Sequence, residues 1–581
     1  MRRVLGKTLI FLLSCALLLP ALTARGKIYA DAPSATPVYD ARGFDAIRDA
    51  PDGSYRLAND VELPENFIPI AEFTGTLDGG DHTLTVKARG CHEAGYAPIT
   101  KNSGVVTGVR AVCDVDVSVG EDALVGGIVA ENLGEIYGCS VSGRITAEAG
   151  SLSAGEYIYA GGVAGYSEAD ISECVSDVAI SLSGTGIMHV GGIVGGIFEC
   201  VIMNCRSDAS VYGEGSTVTA GGICGESDGK TGYSSFGGAV SAKAVSADGK
   251  NSYAYAGGIS GYALDHIVQC ENSGDITAGG DSVSTAYAGG CCGIIYGRIN
   301  RFENCGRVYA DAGAAIFAGG VTGRSCDVII DSVNTADVAA YGSSGTVAAG
   351  GIAGKAHSVN GCSSSADIKA TGGVLDAGGV AGDCDNLSGC VSEGKIVCGA
   401  RETRVGGTAG TAGYIAGCES SCEIEASGIF CEIFAGGIAA KAYNTVSDSF
   451  FSGAITAETA GGYIYAGGVI AYNSSGVSDC RATPSITLRM EANDASGVIA
   501  AGCIAGGNYG EIARCGGTAK IYANAILNTT VRGSGRKISL FAGNNAGLTR
   551  GRGSVSGSSA QSRINAYIIS GGVAKPKLNY D

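Results

Sequence analysis

The chain of 581 residues contains 97 glycines, yet 45% of it is hydrophobic and its mean hydropathy is +0.21, which excludes the low-hydrophobicity, high-charge composition of a disordered chain. Glycine follows no three-residue period and there are only nine prolines, which excludes a collagen triple helix. A net charge of −17, with 16% charged residues and no basic cluster, argues against nucleic acid or anionic lipid as a partner.

In chain order, residues 1–24 carry a basic start (Arg2, Arg3, Lys7), an apolar run from Leu9 to Leu19 and small residues at Ala21 and Ala24. This pattern predicts a secretory signal. The run is too short to span a membrane and no later stretch of about 20 apolar residues exists, so the mature chain is expected to be secreted or at the cell surface. Leu12-Leu13-Ser14-Cys15 resembles a bacterial lipobox and offers acylation at Cys15 as the alternative; the apolar residues beyond it favour cleavage near Ala24. Residues 25–37 read as a linker and 38–125 as an N-terminal cap with the first coils. Within the cap, Phe44 and Ile47 suit one amphipathic turn, and Tyr55 to Val61 the first strand.

From 126 to 545 a small-Gly-Gly-apolar-small-small phrase recurs. Its first glycine stands at 126, 161, 191, 221, 257, 289, 319, 350, 378, 406, 436, 467 and 502, at intervals of 28 to 36 residues. An apolar residue and then a cysteine follow at nearly constant offset, as in Ile136…Cys139, Ile171…Cys174, Ile267…Cys270, Val359…Cys362, Val477…Cys480 and Ile512…Cys515. Cys205, Cys305, Cys390 and Cys418 are read into the same place, with Ser235, Ser332 and Ser449 substituting elsewhere. Alternating segments follow the cysteine (Asp275-Ile276-Thr277-Ala278) and precede the glycines (Tyr463-Ile464-Tyr465-Ala466), the period-two pattern of strands with one buried face.

One such unit cannot bury its apolar face alone, whereas stacked units share a core. The pattern predicts an all-β, parallel β-solenoid of about thirteen coils of roughly 30 residues, three short strands per coil, about 60 Å long at the spacing of parallel strands. Glycine this dense disfavours helices. Between residues 99 and 575 the only proline is Pro484, which suits continuous strand pairing. The recurrent cysteines would form an interior ladder, packed as small apolar groups; a column of disulfides is the alternative, since residues one coil apart lie within bridging range. Residues 546–563 read as loose, with a last strand at Ile564 to Val573, the whole of 546–581 forming a tail or cap.

Gly126-Gly127-Ile128-Val129, followed by Gly134-Glu135-Ile136 and Cys139, resembles the GLUG repeat of bacterial surface proteins, found also in the non-catalytic region of IgA-type metallopeptidases. The stretch from Tyr55 to Leu63, then Phe67-Ile68-Pro69-Ile70 and Phe73 to His82, is similar to the segment that precedes such repeats. The resemblance covers roughly residues 40–545. It implies a right-handed β-helix on a secreted or surface-displayed protein and supplies no catalytic residues. The end of the chain, Lys575 to Asp581, lacks a Leu-Pro-x-Thr-Gly sorting motif, so covalent wall anchoring is not expected.

Catalytic patterns are sparse. His92-Glu93-Ala94-Gly95-Tyr96 begins like a zinc-peptidase helix but has Tyr where the second His belongs, and His82, His189, His266 and His357 stand alone. Gly225-Glu226-Ser227-Asp228-Gly229 has the letters of a nucleophile elbow without a following helix. Asp78, Asp81 and His82 form the densest acidic group, in residues that ordinarily make turns. No catalytic, cofactor-binding or metal-binding residue is therefore assigned. Tyrosines recur two apart before the glycines, as Tyr157/Tyr159, Tyr253/Tyr255 and Tyr463/Tyr465, with Tyr287 in a related place. Sharing one face of a strand, they either simply cover a pleated surface, the plainer reading, or offer a stacking face for sugars. The expected function is a non-catalytic, adhesin-like binding or spacer protein, with glycans or host and cell-surface macromolecules as partners. A carbohydrate-active β-helix enzyme, lyase or hydrolase, is the alternative.

Overall fold

The computed structural model describes residues 35–150, 156–246, 249–429, 431–493, 496–528, 538–550, 553–570 and 573–576. The expected signal, with Cys15, lies outside them. Strand accounts for 67% of the chain and helix for 2%, in a parallel β-solenoid of about 14 turns. The three strand stretches expected per coil are present. One follows the glycine pair and is usually broken in two, as in Val129–Asn132 and Glu135–Tyr137. The second follows the ladder position (Ser140–Ala149) and the third leads into the next glycine pair (Tyr157–Gly161). Each pairs in parallel with its counterpart one coil away, for example Ile136 with Ile171, Ile145 with Ile180 and Ala160 with Val190. The second and third stretches run together without a break in Ile368–Gly378 and Lys395–Gly406.

Two corners fix each coil. At the first, both glycines are required by close backbone approach. A Cβ on Gly350 would meet the Ala353 carbonyl oxygen at 2.1 Å, and one on Gly351 would meet Ser364 Oγ at 2.0 Å and the Gly379 oxygen at 2.2 Å. At the second corner a single residue turns the chain in the left-handed region. It is Gly138 (φ 63°), Glu173 (54°), Asn204 (56°), Tyr233 (53°), Gln269 (53°), Arg301 (56°) and so on in fifteen successive coils, from Gly108 to Gly557.

The residue after each left-handed corner points inward and forms the ladder: Cys139, Cys174, Cys205, Ser234, Cys270, Phe302, Ser332, Cys362, Cys390, Cys418, Ser449, Cys480 and Cys515, all buried. Two expected members are therefore corrected. Ser234 rather than Ser235 occupies its coil, and Phe302 replaces Cys305, which is exposed. Neither coil carries a cysteine after its left-handed residue, Tyr233 or Arg301, so nothing in the sequence marked the inward position, and a β-strand side chain one residue off points to the other face. The ladder side chains cap backbone. Ser332 Oγ donates to the Ile330 carbonyl at 3.0 Å and accepts from the Phe302 amide at 3.2 Å; Cys390 Sγ donates to Ser388 O at 3.4 Å. A thiol and a hydroxyl both perform this, which accounts for their exchange. All 22 cysteines among the described residues are free thiols.

The rest of the interior is aliphatic stacks, such as Ile128, Val163, Ile193, Ile223 and Ile259, each fully buried. Asparagine ladders interrupt them: Asn272 Nδ2 donates to Asn304 Oδ1 and Asn304 Nδ2 to Asn334 Oδ1, both at 2.7 Å. The N-terminal end is covered by a helix, Ala41–Asp45, capped by Asp40, and a 3₁₀ turn, Ala46–Asp49, which bury Phe44 and Ile47 as expected. The first strand is Thr36–Val38, ahead of the expected one, and pairs with Ser54–Leu57. At the other end residues 546–563 are not loose in their described part. Ala546–Thr549, Ser554–Ser556 and Ser559–Ser570 add a further parallel coil, and Val573–Pro576 folds back antiparallel. Serine and arginine obscured this coil by replacing its aliphatic residues. Pro484 sits in the break between Arg481–Ala482 and Ser485–Asn493, where no ladder amide is needed.

Candidate functional site

The glycine corner shapes the outer surface. Strand alternation turns the residue two before the first glycine outward, and these residues form one column in register: Tyr159, His189, Thr219, Tyr255, Tyr287, Phe317, Ala348, Asp376, Arg404, Phe434, Tyr465 and Ala500. Five residues after the first glycine a second column runs alongside: Tyr166, Gly196, Glu226, Tyr262, Ile294, Arg324, Lys355, Asp383, Thr411, Lys441, Tyr472 and Gly507. The columns touch across the corner, with ring centroids 5.2 Å apart for Tyr159 and Tyr166, 5.7 Å for Tyr255 and Tyr262 and 5.8 Å for Tyr465 and Tyr472. Outward side chains that converge make the corner concave, so a groove crosses the coils along the solenoid.

Three aromatic clusters and a charged saddle line this groove. In the first cluster the Tyr159 ring stacks on His189 at 4.4 Å, and its hydroxyl donates to Glu226 at 3.0 Å. His189 Nδ1 lies 2.7 Å from Thr219 Oγ1 and 3.5 Å from Glu226 Oε2. Burial lowers the His189 pKa, against the opposing pull of Glu226, and burial with the Glu226 charge pushes the Tyr159 phenol up. In the second cluster Tyr255, Tyr287 and Phe317 stack at 4.9 Å intervals, flanked by Tyr253, Tyr262 and Tyr296.

The saddle follows. Arg404 Nε is 2.8 Å from Asp376 Oδ1, to which Thr411 also donates at 2.6 Å, and Lys355 pairs with Asp383 at 2.7 Å. Burial raises the Asp376 pKa to about 6 although Arg404 opposes the rise; the pair is close, but the Arg404 Nε–H is not aimed at the carboxylate. The third cluster has Phe434 stacked on Tyr465 at 5.4 Å and Tyr472 on Tyr509 at 4.9 Å, with Lys441 Nζ 3.7 Å over the Phe434 ring. Around them Glu432, Tyr443, Tyr463 and Ser474 complete a depression of about 470 Å³.

The tyrosine pairs found in the sequence thus reach this groove, with a division of labour within each. Tyr159, Tyr255 and Tyr465 stand in the corner, whereas Tyr157 and Tyr463 lie on its flank, 42% and 44% exposed. Sequence reasoning missed their partners across the corner, although a signal exists: Tyr166, Tyr262 and Tyr472 end the glycine phrase at the same offset. It also left His189 isolated, where the fold gives it Tyr159, Thr219 and Glu226.

The other sequence candidates do not converge. Ser227 is buried and donates to the Gly229 carbonyl within the strand Cys224–Gly232, not on an elbow. Gly95–Tyr96 is a strand rather than a helix, with Tyr96 buried against His92. Asp78 accepts from the Gly80 amide, Asp81 pairs with Arg110 and His82 lies 3.6 Å from Asp60, each a turn or surface contact. His266 accepts from the Arg298 amide, and His357 lies 2.9 Å from Asp385. Among the described residues no group of three or more His, Cys, Asp or Glu side chains is placed to hold a metal ion, and no helix is long and apolar enough to cross a membrane.

No protein-family model matches this chain, and neither does any curated protein or solved structure.

Proposed function

We propose that the protein is a secreted or surface-displayed, adhesin-like binding solenoid whose glycine-corner groove holds an extended glycan chain lying along the rod. One observation carries this reading: the third cluster gathers Phe434, Tyr443, Tyr463, Tyr465, Tyr472 and Tyr509 with Glu432, Lys441 and Ser474 around one concave depression. Aromatic rings offer apolar faces to sugar C–H groups, and the polar rim supplies hydrogen-bond partners for hydroxyls. The direction of the groove favours a glycan over a peptide strand. Within the Tyr255–Tyr287–Phe317 run successive coils present a ring every 4.9 Å, close to the length of one pyranose unit, whereas an extended peptide advances about 3.4 Å per residue.

The test is binding of the purified protein to an array of neutral oligosaccharides and polysaccharides, with released product assayed on the same spots. Saturable binding without turnover, weakened about tenfold or more by Tyr472→Ala at roughly 1 to 3 kcal/mol per aromatic stack, is the expected result. Binding indifferent to Tyr472→Ala and Tyr465→Ala would remove the groove from the account, and absence of binding would leave a spacer role.

A second reading, cleavage of a glycosidic bond, draws on the saddle. Burial raises the Asp376 pKa to about 6 and Asp376 faces Asp383 across the same corner, and a carboxyl that keeps its proton more readily than usual beside a second carboxyl is what such chemistry uses. Asp376 is only 8% exposed, and Thr411 donates to its Oδ1 with Arg404 close beside it, which favours a structural role. Released product lost in Asp383→Asn would reverse that preference.

A further inference from the structure

The charges along the groove are almost all answered within it. The second column continues towards the N-terminus through Glu131 and Lys101, and of the five Lys and Arg side chains in the two columns Lys101 lies 3.7 Å from Glu131, Lys355 2.7 Å from Asp383, Arg404 2.8 Å from Asp376, and Lys441 3.5 Å from Glu402. Arg324 is the exception: no carboxylate among the described residues stands within 4 Å of it. In a chain with 56 acidic and 39 basic residues a counter-ion was readily to hand, and the neighbouring coils place Ile294 before it and Lys355 after it. Its hydrogen-bond partner is neutral, the phenol of Tyr287, whose pKa burial raises and Arg324 draws back.

The surroundings are those of a sugar site rather than a bare surface charge. Arg324 faces Phe317 across the corner, at the end of the Tyr255–Tyr287–Phe317 stack; beyond Phe317 the column drops to Ala348. On the same wall Tyr262 stands two coils before it, beyond Ile294, and carries the Tyr296 ring at 5.8 Å, with Tyr296 47% exposed. A half-buried guanidinium with free donors beside aromatic rings is matched to a carboxylate, which it binds through two parallel N–H···O bonds. The surplus of negative charge over the whole molecule sets a limit on the ligand, since a densely charged polyanion would be repelled.

We propose that Arg324, with Phe317, Tyr287 and Tyr296, forms a subsite for an isolated carboxylated sugar carried on an otherwise neutral glycan. This rests on the groove being a glycan-binding face. The ring lies against the aromatic wall and its carboxylate meets the guanidinium, so that charge sets which stretch of the chain occupies this part of the groove.

The experiment compares two probes, a neutral oligosaccharide and the same oligosaccharide with one hexuronic acid in place of a hexose, on the full protein by calorimetry. The expected result is a preference of roughly 10- to 100-fold for the carboxylated probe, the range of a charge-assisted pair. Arg324→Gln removes that preference, weakening the carboxylated probe by about tenfold or more relative to the neutral one, and Arg324→Lys, which keeps the charge and loses the fork, retains part of it. Tyr472→Ala, five coils from Arg324, weakens both probes alike. Equal binding of the two probes by the unaltered protein, or a preference that survives Arg324→Gln, overturns this subsite while leaving the groove reading intact. Failure of both probes to bind overturns both proposals. A polygalacturonate that outcompetes the singly charged probe also overturns the inference, because it would show the acidic surface does not select against dense charge.

Discussion

At the scale of single residues the fold depends on two backbone demands, and each makes a measurable claim. Ser449 Oγ donates to the Ser447 carbonyl at 2.8 Å and accepts from the Cys418 amide at 3.2 Å. Ser449→Val strands both groups and should cost about 1 to 3 kcal/mol, whereas Ser449→Cys keeps a donor and stays within about 1 kcal/mol; urea midpoints separate the two. Gly138 has φ 63°, and a Cβ there would touch nothing within 4 Å. Gly138→Ala therefore isolates the cost of the left-handed turn, about 1 to 2 kcal/mol, and Gly138→Asn should recover most of it. Asp376 is a third case. Its folded pKa of about 6 stands above the ordinary value near 3.9, so the native state binds this proton more tightly than the unfolded chain. The resulting stabilisation is full below about pH 4 and fades as pH rises through 6. It amounts to about 2 to 3 kcal/mol at 1.36 kcal/mol per pH unit. Asp376→Asn should remove that slope, so that between pH 4.5 and 7 unfolding curves show the unaltered protein losing about 2 kcal/mol relative to the variant.

At the scale of strands and ladders, the sequence made the repeat legible because glycine and cysteine mark positions where nothing else fits or where only a small capping donor does. The alternating segments around Ile145, Ile276 and Ile368 were legible for the same reason: one face must be apolar. What escaped notice were positions where the requirement is conformational. Tyr233, Gln269 and Arg301 all turn in the left-handed region, where glycine or asparagine is the usual occupant; Cys270 still marked its coil, but with no cysteine after Tyr233 or Arg301 the ladder register slipped at Ser234 and Phe302. The asparagine ladder was equally hidden, since Asn272, Asn304 and Asn334 read locally as turn residues. In the fold each Nδ2 also caps a carbonyl two residues on, Gly274, Gly306 and Ala336. Asn304→Ala should cost about 3 kcal/mol or more, because it strands the Asn272 amide, the Asn334 oxygen and the Gly306 carbonyl together. Hydrogen exchange should show the loss of protection concentrated in the strands either side of Asn304. Of the groove, only one wall could be read from sequence; the other required knowing that the glycine corner is concave.

At the scale of the molecule, each coil meets only its neighbours, so stability is a sum of local terms and whole coils are exchangeable units. Excision of residues 320–350, which joins Gly319 to Gly351, should give a folded solenoid shortened by about 4.8 Å, whereas removal of half that length should not fold, because every downstream column would lose its register. Circular dichroism and small-angle scattering on the two deletions test this. The parallel stacking has a mechanical consequence. Backbone hydrogen bonds between coils run along the rod, so tension applied at its two ends falls on one inter-coil seam at a time instead of shearing many bonds together. In the proposed adhesin role, drawn out between a cell and what it holds, the molecule would yield in discrete steps. Each step would release about 30 residues, or roughly 100 Å of slack, and dissipate load that would otherwise reach the bound ligand.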